Sequence, residues 1–239
     1  MDEEGTGLEP SYPQEAGPGW AGPGGPIQAR PILEAGLVFA AFWLTAYLPG
    51  NASAYGQALA DPYHHLAMAL SLLPKALLLL YLMARTDGLG AFRGLARPRP
   101  ADILGALAVA GGAFLVVILP SSFLSILSAA LGGQAPLNPL LAAAVHPTAP
   151  ALLLVPAVLL DCLCIGYIEE LYFRVYLLHR LGQAGLRPLH AGLASILLFA
   201  SAHGAQGALG LLMAAILGAW FTWRRAQGAG IHELGLGHA

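Results

Sequence analysis

The sequence predicts an all-α polytopic membrane helix bundle of six to seven transmembrane helices. Three observations carry that expectation. Of the 239 residues, 57% are hydrophobic and only 10% are charged, where a soluble domain carries roughly 25% charged residues for its wetted surface. Mean hydropathy is +0.66. The apolar residues fall into long runs rather than alternating, and most of the runs approach or exceed the roughly 20 residues that a helix needs to cross lipid. A helix satisfies its own backbone in lipid, and an open sheet does not.

The first 31 residues stand apart from this pattern. They carry Asp2, Glu3, Glu4, Glu9 and Glu15 among many Gly and Pro, with few aliphatic side chains. Such a stretch buries too little apolar surface to offset its ordering entropy, so residues 1–31 are expected to be a disordered acidic tail. A basic segment followed by an apolar core is missing, so the tail does not read as a signal peptide.

Residues 32–239 form the membrane-embedded domain. The expected spans are 32–48, 65–84, 103–119 with a possible extension to 131, 149–172, 189–202 and 207–223. A seventh apolar run begins near Ile231 and stops nine residues later, too short to cross; it suggests a piece of a longer protein. Arg85, Arg93, Arg97 and Arg99 follow the second span, Arg180 and Arg187 follow the fourth, and Arg224 and Arg225 follow the sixth. The intervening loops, 51–62 and 132–147, hold no Lys or Arg. Positive residues stay on the cytoplasmic side, which places the N-terminus there. Asn51-Ala52-Ser53 is a weak glycosylation match in an outer loop. Trp220 and Trp223 beside Arg224 fit an interfacial anchor.

Several function classes drop out early. The formal net charge is −2, so there is no basic footprint for nucleic acid. Cys162 and Cys164 have a spacing suited neither to a disulfide nor to a CxxC motif, and they read as small buried hydrophobes.

Ionisable groups inside lipid are costly and therefore mark candidate sites. The densest set is Glu169-Glu170-Leu171-Tyr172-Phe173-Arg174. Adjacent helical positions differ by about 100°, so the two glutamates point apart. Glu170 and Arg174 are four apart and can pair along the helix. Glu169 is left without a local partner, and a desolvated carboxylate is better able to take a proton from water. Phe199 and His203 lie on one stripe at the end of the fifth run, and His238, with His232 nearby, lies in the last. A glutamate and two histidines on three helices can activate water, the imidazoles holding it or stabilising an oxyanion. They can equally ligate a metal such as Zn²⁺.

Glu169-Glu170-x-x-x-Arg174 followed by Phe199-x-x-x-His203 resembles the first two motifs of the CAAX protease and bacteriocin-processing family of intramembrane glutamic proteases. The family's third motif is His-x-x-x-Asn or Asp; His238-Ala239 sits where its histidine is expected, and the chain ends before the Asn or Asp position. His232 would place Leu236 there instead. The resemblance covers residues 149–239. It implies that Glu169 activates water, that His203 polarises water or the scissile carbonyl, and that His238 is a second catalytic or oxyanion-side histidine. Glu170 and Arg174, with Phe199 beneath His203, would support them. It implies no cofactor and no catalytic metal. The expected substrate is a membrane-anchored protein or peptide of the CAAX, bacteriocin or C-terminal sorting-tail kind, cleaved in the lipid bilayer of a bacterial inner membrane. The alternative is a non-catalytic immunity or scaffold protein of the same fold. A transporter is disfavoured by the lack of an internal repeat.

Simple spans place Glu169 near one face of the membrane and His203 near the other, too far apart for one water. The expected resolution is a single long helix over 149–181 that carries Glu169 into the bundle. Two further charges need partners: Lys75 is expected to pair with Asp161 or Glu34, and Asp161, about 80° from Glu169 around the helix, can reach the same cavity.

Overall fold

The computed structural model describes residues 27–47, 58–92, 95, 97–133 and 150–239. The expected tail up to residue 26 and the Asn51 triplet lie outside the described residues. Seven helices appear among the described residues: α1 (Ala29–Trp43), α2 (Pro62–Thr86), α3 (Pro100–Ala130), α4 (Ala151–Gln183), α5 (Pro188–Ser201), α6 (Gly207–Ala226) and α7 (Ile231–His238). A 3₁₀ turn, Leu44–Tyr47, extends α1. There is no strand among them.

Helices α1 with its 3₁₀ turn, α2, α3, α4, and α6 with the turn before it are each long and apolar enough to cross a membrane. Their outer faces present side chains such as Leu70, Leu77, Leu104, Leu107, Phe114 and Leu159, all more than half exposed. Surfaces of this kind are stable against acyl chains and not against water. Helix starts follow local chemistry. Asp61 caps α2 by accepting from the Tyr63 N–H at 2.9 Å, with Pro62 at the first helical position. Asp102 reaches back to the Arg99 N–H at 2.7 Å at the start of α3.

The span expected over 189–202 is corrected. Helix α5 has 14 residues, about 21 Å, and stops inside the bundle. The long helix expected over 149–181 is present as α4, Ala151–Gln183. Glu169 lies 14 residues before its Gln183 end, again about 21 Å. The Gln183 end of α4 and the Pro188 start of α5 share one side of the bundle, joined by a short turn. His203 and Glu169 therefore sit at matching depth, which removes the difficulty posed by simple spans.

Helix α4 is held to its neighbours along one stripe. The Tyr172 hydroxyl donates to the Ala35 carbonyl at 2.8 Å, Tyr176 to Glu34 at 2.8 Å, and Arg180 pairs with Glu34 at 2.6 Å. Arg180 also reaches Asp87 at 3.4 Å, tying α1, α2 and α4 together at one end. Trp220 is corrected from interfacial anchor to packing group. Its indole N–H donates to the Val109 carbonyl at 3.0 Å, and its ring fills the space over Gly112, where a Cβ would come within 2.0 Å of it.

Helix α7 is short yet central. It packs mainly on α3 and α4, and the approach is close because small residues face each other. A Cβ on Gly166 would stand 2.7 Å from the Gly235 carbonyl oxygen, and one on Gly237 would stand 2.9 Å from the Ala106 carbonyl oxygen. Small residues let helix backbones meet in this way in membranes. The consequence is positional: His238 is carried to the middle of α4.

Candidate active site

The site is built where α4 changes its winding. After Glu170 the backbone passes through a π-helical segment, Leu171–Tyr176, in which the Leu177 N–H bonds the Tyr172 carbonyl five residues back. Such segments loosen the α ladder and recur at functional sites. Two of the segment's carbonyls take side-chain donors from neighbouring helices. Ser195 of α5 donates to the Phe173 carbonyl at 2.9 Å, and Arg225 of α6 to the Arg174 carbonyl at 3.2 Å. These bonds fix the turn that follows the two glutamates.

Glu170 points into the protein and is fully buried, as is Arg174, and the two pair at 3.2 Å. The guanidinium lies among three rings, 4.4 Å from the centroid of Phe199, 5.4 Å from Phe221 and 5.6 Å from Phe173. It also donates to the Gly218 carbonyl at 3.3 Å. Phe199 thus supports two groups at once, since its other neighbour is the His203 ring at 4.7 Å.

Glu169 turns the other way, into a cavity of about 340 Å³ between α1, α2, α4 and the turn after α5. His203 lines the same cavity, together with Lys75, Gln206, Trp43 and Leu72. His203 donates from Nδ1 to the Phe199 carbonyl at 2.8 Å. In the neutral ring this leaves Nε2 as a hydrogen-bond acceptor. Glu169 Oε2 is buried and has no hydrogen-bond partner among the described residues. A buried polar atom without a partner is uncommon and calls for an explanation.

His238 stands behind Glu169 and outside the cavity lining. Its Nδ1 lies 2.9 Å from Glu170 Oε1, its Nε2 lies 3.6 Å from Glu169 Oε2, and its ring stacks on Phe221 at 4.6 Å. The two glutamates point apart, as the helix geometry requires, yet one imidazole touches both. With Nδ1–H donated to Glu170, Nε2 and the Glu169 oxygen are both acceptors unless a proton lies between them. At 3.6 Å the Nε2 contact is longer than a hydrogen bond, so Glu169 Oε2 faces the imidazole without being bonded to it.

Glu169, Glu170, Arg174, Phe199, His203 and His238 are thus gathered into one region, while His232 is set aside, with Nδ1 3.1 Å from the Tyr167 hydroxyl. No three His, Cys, Asp or Glu side chains among the described residues are grouped to hold a metal ion. The expected partners of Lys75 are corrected. Asp161 pairs instead with His65 at 2.8 Å, and Glu34 with Arg180. Lys75 donates to the Phe42 carbonyl at 2.9 Å. Asp161 is buried against α2 and does not line the cavity. The sequence does not reveal His65 as its partner, because the two are 96 residues apart and their pairing depends on how α2 and α4 pack.

Residues 151–239 match the protein family described as type II CAAX prenyl endopeptidase Rce1-like. The resemblance carried by the two motifs therefore holds over the C-terminal part of the chain, and at the level of the family it supports a CAAX-type intramembrane protease, a hydrolase acting on a membrane-associated peptide. No curated protein matches the chain, and no solved structure does.

Proposed function

We propose that this protein is an intramembrane endopeptidase of the glutamic type, with Glu169 as the general base. The observation that carries the reading is that Glu169 and His203 line one cavity at matching depth. A water in that cavity can donate one hydrogen to Glu169 and the other to His203 Nε2. Glu169 takes the first proton as the water oxygen adds to the scissile carbonyl carbon. His238 Nε2, 3.6 Å behind Glu169, shares that proton and steadies the acid form until it passes to the leaving amine nitrogen. The C–N bond then breaks, giving a carboxylate and an amine. Glu170 and Arg174 position His238 and the helix and do not touch the reacting atoms. Within this scheme no cofactor is required.

The substrate is proposed to be a membrane-anchored protein or peptide of CAAX type. The ends bearing Arg85, Arg97, Arg99, Arg180, Arg187, Arg224 and Arg225 are proposed to face the cytoplasm of a bacterial inner membrane, the N-terminus with them. The Glu34–Arg180–Asp87 cluster, which joins three of those helix ends, supports a common side. The test is direct. The purified full chain in proteoliposomes is given a farnesylated CAAX-type peptide, and the released C-terminal tripeptide is measured by mass spectrometry. Release that is abolished by Glu169→Gln supports the reading; no release from folded wild-type protein contradicts it.

A further inference from the structure

We propose that Lys75 is the cavity's carboxylate-binding residue, so that the site selects a peptide bearing a free carboxylate a short distance beyond the scissile bond. The inference rests on the protease reading and adds a recognition element to it. Lys75 lies in the middle of α2, 11 residues from its Thr86 end, or about 16 Å deep. A charged side chain at that depth is costly and normally finds a partner of opposite sign. Here the two carboxylates within plausible reach by sequence, Asp161 and Glu34, are taken by His65 and Arg180. No carboxylate among the described residues approaches the Lys75 ammonium within 4.0 Å. Its hydrogen bond goes to the Phe42 carbonyl at 2.9 Å. An ammonium has three N–H donors, so two remain, and the side chain lines the cavity that also holds Glu169 and His203.

The cavity thus carries a base and an imidazole on the α4 and α5 side and a cation on the α2 side, in a space of about 340 Å³. That volume suits a short stretch of extended peptide and sets the carboxylate close to the cleaved bond. A carboxylate entering there would form a charge-assisted hydrogen bond with the half-buried Lys75 ammonium, and such bonds are the strong ones. The carboxylate can be the peptide's own C-terminus or an acidic side chain, and the two are separable.

Three farnesylated peptides of one sequence distinguish the sources: a free C-terminal acid, its carboxamide, and a carboxamide carrying Asp at the last position. The full chain should cleave the free acid with kcat/KM at least about tenfold above the plain carboxamide, mostly through KM, as expected for loss of one charge-assisted bond. Lys75→Met should bring the ratio to about one, and Lys75→Arg should keep most of it. Recovery of the Asp-bearing carboxamide would assign the site to any nearby carboxylate, and no recovery to the C-terminus itself. A binding readout stands apart from turnover. The apolar product tripeptide should raise the melting temperature of the wild type as the free acid and not as the amide, with no rise in Lys75→Met. Equal cleavage of acid and carboxamide by the wild type would overturn the proposal, as would a ratio unchanged by Lys75→Met. Equal falls in kcat on both peptides would instead make Lys75 part of the chemistry and also overturn it. If no peptide is cleaved while the acid tripeptide still binds through Lys75, the protease reading fails and the carboxylate site stands.

Discussion

Glu170→Gln isolates the ion pair that anchors the site. Both partners are fully buried, with Glu170 0% and Arg174 1% exposed. Removing one charge from such a pair leaves the other uncompensated, which costs about 3–5 kcal/mol. Arg174 keeps the Gly218 carbonyl and its three aromatic neighbours, and the new amide oxygen still accepts hydrogen bonds, so the lower end applies, about 3 kcal/mol. For a chain of this size that is a fall of about 6–12 °C in melting temperature. Arg174→Met should cost at least as much, because it strands a carboxylate whose other contact is His238 at 2.9 Å. The double variant removes both charges and should recover at least about 2 kcal/mol of the summed losses. Thermal unfolding of the four proteins in one detergent closes the cycle. Additive losses, or a single-variant shift below about 2 °C, would refute the claim that this pair holds α4 in place.

Three other outcomes follow from the packing and chemistry. Gly166→Ala should leave a folded protein with activity down by tenfold or more, because its Cβ meets the Gly235 carbonyl and pushes α7, and His238 with it, away from Glu169; peptide cleavage at matched helical circular dichroism checks this. Ser195→Ala removes the donor to the Phe173 carbonyl in the π segment and should lower stability by about 1–3 kcal/mol, read by thermal unfolding. Dialysis against a chelator should leave cleavage intact, and loss restored by Zn²⁺ would move the mechanism to a metal.

Much of the candidate site is legible in the sequence because its charges have no other reason to lie in an apolar run. Glu169, Glu170 and Arg174 announced themselves by cost, and the i, i+4 spacing gave the Glu170–Arg174 pair directly. The long α4 was foreseeable from the distance that a shared water imposes. The shortness of α5 was not, since a run of Leu and Ala that ends at mid-depth has the composition of one that crosses. Nor was the π segment, because six residues, Leu171–Tyr176, are wound differently by tertiary donors on α5 and α6 rather than by their own propensity. The misassigned partners of Lys75 and Asp161 share a cause. Charge complementarity says that a buried ion needs a partner, while helix packing decides which one, and it brought His65 to Asp161.

The central claim is that Glu169 removes a proton from water in the cavity that it shares with His203. Single-turnover cleavage of a membrane-anchored CAAX-type peptide by Glu169→Gln tests it most directly, because the substitution keeps the side chain's shape and removes its basicity. The expected rate is at least about 10²-fold below wild type, with melting temperature nearly unchanged. Cleavage by Glu169→Gln at the wild-type rate would contradict it.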